Sequence, residues 1–241
     1  MSAATRAEVC IVACAEAWRG DGEVLASPMG PIPSVGARLA KATFEPELSM
    51  TDGEAFLTEG SVVSGRMHYR KVFDVVWAGR RHVMMGAAQI DRYGNQNISC
   101  IGSHEQPKVQ LLGARGAPGN TIHHPTSYWV PAHSKRIFVP RVDFVSGVGY
   151  DRAAALGIAG RFHEIRRVVT DLCVLDFATP DHRMRLASVH PGVTVDQVVA
   201  ETGFDLVVDQ VTTTRAPTET ELTCIRELLD PDGVARATVK P

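Results

Sequence analysis

An α/β fold is what this sequence predicts: an open, mostly parallel sheet with flanking helices and a late antiparallel strand pair. Three stretches carry the prediction. Val83 to Ile90 is apolar and ends in small residues, the pattern of a buried parallel strand whose C-terminal end lets another backbone approach. Glu23 to Lys41 reads as strand, turn and helix. Glu23 to Ser27 is extended, Pro28-Met29-Gly30-Pro31 turns, and Pro33 with Ser34 opens a helix in which Val35, Ala37, Leu39 and Ala40 pack. Asp171 to Phe177 and Met184 to Ala187 read as the late antiparallel pair.

The other elements follow in chain order. Thr5 caps a helix over Arg6 to Trp18, with Val9, Cys10, Val12, Ala13 and Trp18 near one face and Arg6, Glu8 and Glu16 left to water. Glu47 to Met50 is a short strand into the turn Thr51-Asp52-Gly53. Tyr69 to Ala78 fits a buried helix or a buried strand equally, because Val72, Phe73, Val75, Val76 and Trp77 show no decisive period. Val109 to Leu112, Ile137 to Val139, Val142 to Val145 and Arg167 to Val169 read as short strands. Thr194 or Asp196 starts a helix through Ala200. Pro217 to Leu229 forms an amphipathic helix with Leu222, Ile225, Leu228 and Leu229 inward, ended by Pro231 and Gly233.

Composition sets the bounds. A chain of 241 residues, 44% hydrophobic and 22% charged, can bury a large core and is expected to form one domain over 1–241. A formal net charge of -2 gives no electrostatic case for nucleic acid or an anionic membrane. No apolar run reaches the roughly 18 residues of a membrane span, and Met1 to Arg19 lacks an export signal, so a cytoplasmic protein is expected. Cys10, Cys14, Cys100, Cys173 and Cys224 lack paired CxxC spacing and read as reduced core thiols. His123, His124 and His133 have no carboxylate or cysteine at ligand spacing, so no metal site is expected.

Two stretches carry candidate chemistry. Asp91-Arg92-Tyr93-Gly94-Asn95 places Gln89, Asp91, Arg92 and Asn95 at the mouth of the sheet, where open α/β folds keep ligands; the same residues fit a structural turn with capping side chains. Gly113 to Gly119 (GARGAPG) can present backbone N–H groups to an anion or carbonyl oxygen, or serve as a flexible loop. Its spacing is not GxGxxG, which argues against a dinucleotide site.

Gly86 to Asn95, Ser99, Ile101-Gly102, Pro107-Lys108, Gly113 to Gly119, Val169-Thr170-Asp171, His190-Pro191-Gly192 and Glu201 to Asp205 together resemble the β subunit of class I coenzyme A transferases. The resemblance is strongest to the glutaconate branch and, closer still, to hydrolase β subunits that cleave rings in bacterial steroid catabolism. It implies an active site shared with a separately encoded α subunit, in an assembly expected to be α2β2. It also implies a CoA-thioester substrate, with CoA part of that substrate and no other cofactor. The expected substrate contacts are Asp52, Gly53, Gln89, Arg92, Asn95, Gly113, Gly116, Ala117 and Gly119.

The sequence departs from the transferases at one point. Thr51 falls where their catalytic glutamate belongs, followed by Asp52 and Gly53. A threonine hydroxyl cannot form the γ-glutamyl thioester of ping-pong transfer, and Glu54 or Glu59 would need a shifted loop register. The expected function is therefore hydrolytic ring opening of a cyclic 3-oxoacyl-CoA by water, with the general base on the α subunit and Asp91 as the local reserve. A true CoA transferase is the alternative. A non-catalytic sensor or scaffold of the same fold is the second, a reading that a fused DNA-binding module would favour.

Overall fold

The computed structural model describes residues 3–52, 55–60, 62–68, 70–71, 74 and 79–239. The strands are β1 (Leu25–Pro28), β2 (Ser49–Thr51), β3 (Phe56–Glu59), β4 (Val62–Arg66), β5 (Arg81–Met85), the short β6 (Gln89–Ile90), β7 (Gln96–Asn97), β8 (Cys100–Ile101) and β9 (Val109–Gln110), then β10 (Pro125–Val130), β11 (Glu164–Thr170), β12 (Cys173–Asp176), β13 (Arg185–Val189) and β14 (Val207–Thr213). Ten of them form one sheet in the order β14-β13-β12-β11-β10-β5-β1-β2-β3-β4. Strands β11, β10, β5, β1 and β2 run parallel, and antiparallel pairings extend the sheet at both sides.

From β1 the chain moves outward to β2, then returns to the other side of β1 to lay down β5 and β10. The order of strands therefore reverses between β1 and β5. In open α/β sheets the crevice beyond the C-terminal ends at such a reversal is where ligands bind. Here it is flanked by Pro28-Met29-Gly30 after β1, Thr51-Asp52 at the end of β2 and Gly86-Ala87-Ala88 after β5.

Helix α1 (Arg6–Ala15) begins with the capping box expected at Thr5, whose hydroxyl accepts the Glu8 amide while Glu8 accepts the Thr5 amide. It packs on α2 (Pro31–Thr43) and β11, with the turn Arg236–Thr238 against it. Gly36 lets α1 and α2 close, since a Cβ there would lie 2.8 Å from Cys14 Cβ and 2.9 Å from the Ile11 carbonyl. Because α1 is covered from more than one side, Glu8 is not left to water: it is fully buried and held by Arg226 at 2.7 Å. That corrects the amphipathic reading.

Other expectations change in the same way. Ile137 to Val139 and Val142 to Val145 are not strands; Phe138 makes one isolated bridge to Ile90. The C-terminal helix is capped at Thr218 but runs as α over Glu219–Thr223 and as π over Cys224–Leu229, which turns Leu228 outward at 74% exposure. The strand expected over Val109 to Leu112 is two exposed residues, and Gly119 lies inside a helix, α3 (Ala117–His123). Most of Tyr69 to Ala78, with Gly53 and Glu54, lies outside the described residues. Thr194 caps Val195–Ala200, and β12 pairs antiparallel with β13, as expected.

Candidate active site

The loops at the crevice are fixed by two polar networks. In the first, Gln89 Oε1 accepts Asn97 Nδ2 at 2.7 Å and the Asp143 amide at 2.9 Å, while Gln89 Nε2 donates to Asp143 Oδ2 at 3.0 Å. Asp143 Oδ2 also accepts the Gly102 amide. Asp91 and Asn95 form the second. The Asp91 carboxylate accepts the Tyr93 and Asn95 amides and Asn95 Nδ2, and Asn95 Oδ1 accepts the Gly149 amide at 2.8 Å. Burial raises the Asp91 pKa, with the bonds from Asn95 and Tyr93 acting against it. These contacts give Asp91 a turn-building role, and they make Gln89 and Asn95 braces of the same loop system. The half-buried Arg92 is tied through its carbonyl, which accepts the Met184 amide.

A third polar line runs beneath the crevice. Thr51 Oγ1 donates to Ser27 Oγ at 3.1 Å, Arg81 Nε donates to Ser27 Oγ at 2.8 Å, and Arg81 Nη1 donates to Asn120 Oδ1 at 3.1 Å. All four residues are buried. Asn120 belongs to α3, whose N-cap is Gly116 and whose first residue, Ala117, is buried. The line therefore joins the end of β2 to the glycine segment, two places that the sequence singles out separately. Sequence reasoning misses Ser27, Arg81 and Asn120 themselves. The available signal is Arg80-Arg81-His82, a polar trio opening a run that is otherwise apolar.

Asp52 Oδ1 accepts the Ala55 and Phe56 amides and shapes the turn into β3. Gly113, at φ +88, donates its amide to the Ile98 carbonyl; Gly116 sits at φ −83, and a Cβ there would meet Asn120 Nδ2 at an ordinary 3.4 Å. Glu59 is at the far end of the hairpin, since β3 runs antiparallel to β2, and pairs with Lys41 at 3.4 Å. It is thus removed from the C-terminal end of β2.

On the opposite face of β5, His82 Nδ1 is 2.7 Å from Asp21 Oδ2 and His82 Nε2 is 2.9 Å from Ser127 Oγ. The order matches a serine-hydrolase relay, but His82 and Ser127 are fully buried and no substrate reaches them. The group ties the connection before β1 to the sheet. His133 lies between Thr170 and Thr202, and burial pushes its pKa down to about 3. Among the described residues no three ligating side chains gather as a metal site, and no helix is long and apolar enough to cross a membrane. Cavities of about 490 and 440 Å³ lie near the N-terminal ends of the parallel strands, lined in part by Arg80, His124 and Arg166 and by Glu164 and Arg166.

The reversal of strand order, the loops braced around it and the match of residues 49–201 to the coenzyme A transferase family define the class: the chain belongs to that family. Within it, the chain is 54% identical to the cholesterol ring-cleaving hydrolase IpdB subunit of Rhodococcus jostii (strain RHA1), over 94% of this chain and 93% of the relative. The crystal structure of Rhodococcus jostii RHA1 IpdAB superposes with a TM-score of 0.94 at 51% identity, over 100% of both chains. A glutaconate CoA-transferase chain of Acidaminococcus fermentans is 30% identical, over 88% of this chain and 87% of the relative.

Proposed function

We propose that this chain is the β subunit of a hydrolase that opens the ring of a cyclic 3-oxoacyl-CoA in steroid breakdown. The observation that carries the reading is Thr51. The sequence resemblance aligns it with the glutamate of the transferases; in this chain it ends β2, is 2% exposed and is hydrogen-bonded to Ser27. It forms part of the site's floor instead of projecting as a nucleophile. The naming of the Rhodococcus relative as a cholesterol ring-cleaving hydrolase subunit supports the same reading.

In the reaction a base on an α subunit takes a proton from water, and the water oxygen bonds to the ring ketone carbon. The resulting alkoxide collapses to a carboxylic acid as the bond to the carbon α to the thioester breaks. Its electron pair becomes the thioester enolate, which hydrogen-bond donors stabilise until its carbon is protonated. CoA remains on the product and no other cofactor is required. The partner's own loops complete the crevice, in an α2β2 assembly.

A transferase remains the second reading because of the 30% identity to the glutaconate enzyme's chain. Co-purifying the chain with its α partner and assaying cyclic CoA thioesters separates the two. Ring opening with no acyl acceptor present supports the hydrolase. Turnover that needs an acceptor carboxylate supports the transferase.

A further inference from the structure

We infer that Arg81 is a positioning residue of the ring-opening reaction, acting through Ser27 to fix Thr51 at the floor of the crevice. The inference rests on the hydrolase reading above and deepens it at the same site. Arg81 is 3% exposed, and its hydrogen-bond acceptors are neutral, Ser27 Oγ and Asn120 Oδ1. Among the described residues no carboxylate lies within ion-pair distance of its guanidinium. Burial lowers its pKa to about 10. An uncompensated buried cation is a poor device for stability, since replacing such charges by apolar groups of similar volume is often neutral or stabilising.

Its geometry accounts for its presence. The guanidinium fork spans two elements with fixed angles, one N–H to the β1 hydroxyl beside Thr51 and another to the helix that the glycine segment opens. A single rigid group thus sets the distance between the end of β2 and the N-terminus of α3. Its charge also polarises the Ser27 and Thr51 hydroxyls, because linked hydrogen bonds strengthen one another where the local dielectric is low. The Lys side chain, a single-point donor, reproduces the charge but not the two-ended span.

The test uses the complex with the α subunit and compares the parent with Ser27→Ala, Thr51→Val, the double variant and Arg81→Lys. Two quantities are read: ring-opening kinetics, and hydrogen exchange of the peptide spanning 49–56 at matched thermal stability. Ser27→Ala cuts the link with little change of volume. It is expected to lower kcat by about tenfold to a hundredfold with KM changed less than about twofold, the size that follows from small misplacements at a reacting centre. It should also speed exchange in 49–56 beyond any change in peptides away from the crevice. The double variant should be no slower than Thr51→Val, because both changes break one line. Arg81→Lys, which keeps the charge but loses the two-ended span, should be slower than the parent in kcat and faster than Ser27→Ala.

Unchanged exchange and unchanged kcat in Ser27→Ala would overturn the positioning role. If the parent complex opens no ring, the hydrolase reading fails, and the exchange measurement still decides whether Arg81 holds the end of β2 through Ser27.

Discussion

Gln89 and Asp143 hold each other reciprocally: the Gln89 amide donates to the Asp143 carboxylate at 3.0 Å, and the Asp143 backbone N–H donates to Gln89 Oε1 at 2.9 Å. This pair fastens the loop after β5 to the segment after β10. Gln89→Ala leaves the Asp143 amide and Asn97 Nδ2 without that acceptor. Unpaired buried groups cost about 1–3 kcal/mol, so the midpoint of urea unfolding should fall accordingly. A midpoint equal to the parent's would mean that water replaces the glutamine freely.

Acid should expose a second pair. Burial would raise the Glu8 pKa, but the hydrogen bonds from Arg226 and Thr5 outweigh it and hold the carboxyl at about 2, below its ordinary 4.5. A folded-state pKa below the unfolded one contributes stability that is complete above 4.5 and is lost as the pH falls toward 2. His133 acts in the same direction from higher pH, because burial keeps it neutral to about 3 while the unfolded chain takes up its proton near 6.5. Glu8→Gln should therefore lose stability at neutral pH and show a shallower decline between pH 4.5 and 2, measured by thermal melts across the range. An unaltered slope there would remove Glu8 from the acid response.

Two glycines near the crevice should behave oppositely. A Cβ at Gly149 would lie 2.4 Å from the Tyr93 carbonyl and 2.5 Å from the Asn95 amide nitrogen, so backbone must move. Gly149→Ala should cost about 1–3 kcal/mol, as overpacking does, and slow the complex by displacing the turn at Asp91 to Asn95. At Gly116 the αR conformation and the ordinary 3.4 Å contact predict that Gly116→Ala folds like the parent. Melting temperatures of the two alanine variants check the contrast.

Local signals made much of this fold legible. Thr5 caps its helix as its spacing indicates, Thr194 proves to be the cap of the two candidates there, and the apolar run from Val83 contains a buried parallel strand. What escaped was set by distant contacts or by a break of period. Glu8 is buried because Arg226, 218 residues away, covers it. Leu228 faces water because the π turn shifts the helical phase after Cys224. Phe138 is apolar yet bridges a single residue, since its segment follows the loops of the crevice instead of the sheet. In the site, Thr51 was visible as a departure from a family pattern. The Arg81–Ser27 contact beneath it joins strands that are neighbours in space but 54 residues apart.

Isotope incorporation in the assembled complex tests the central claim most directly. The complex is given its cyclic CoA thioester in 18O-labelled water; one portion is quenched with acid to weigh the product, and another with borohydride to weigh the protein, both by mass spectrometry. Direct water attack predicts one 18O atom in the new carboxylic acid, CoA still on the product, and no reduced glutamate in this subunit. A glutamate reduced to the alcohol at Glu54 or Glu59, with turnover that depends on an acceptor acid, would contradict the hydrolase and establish a transferase.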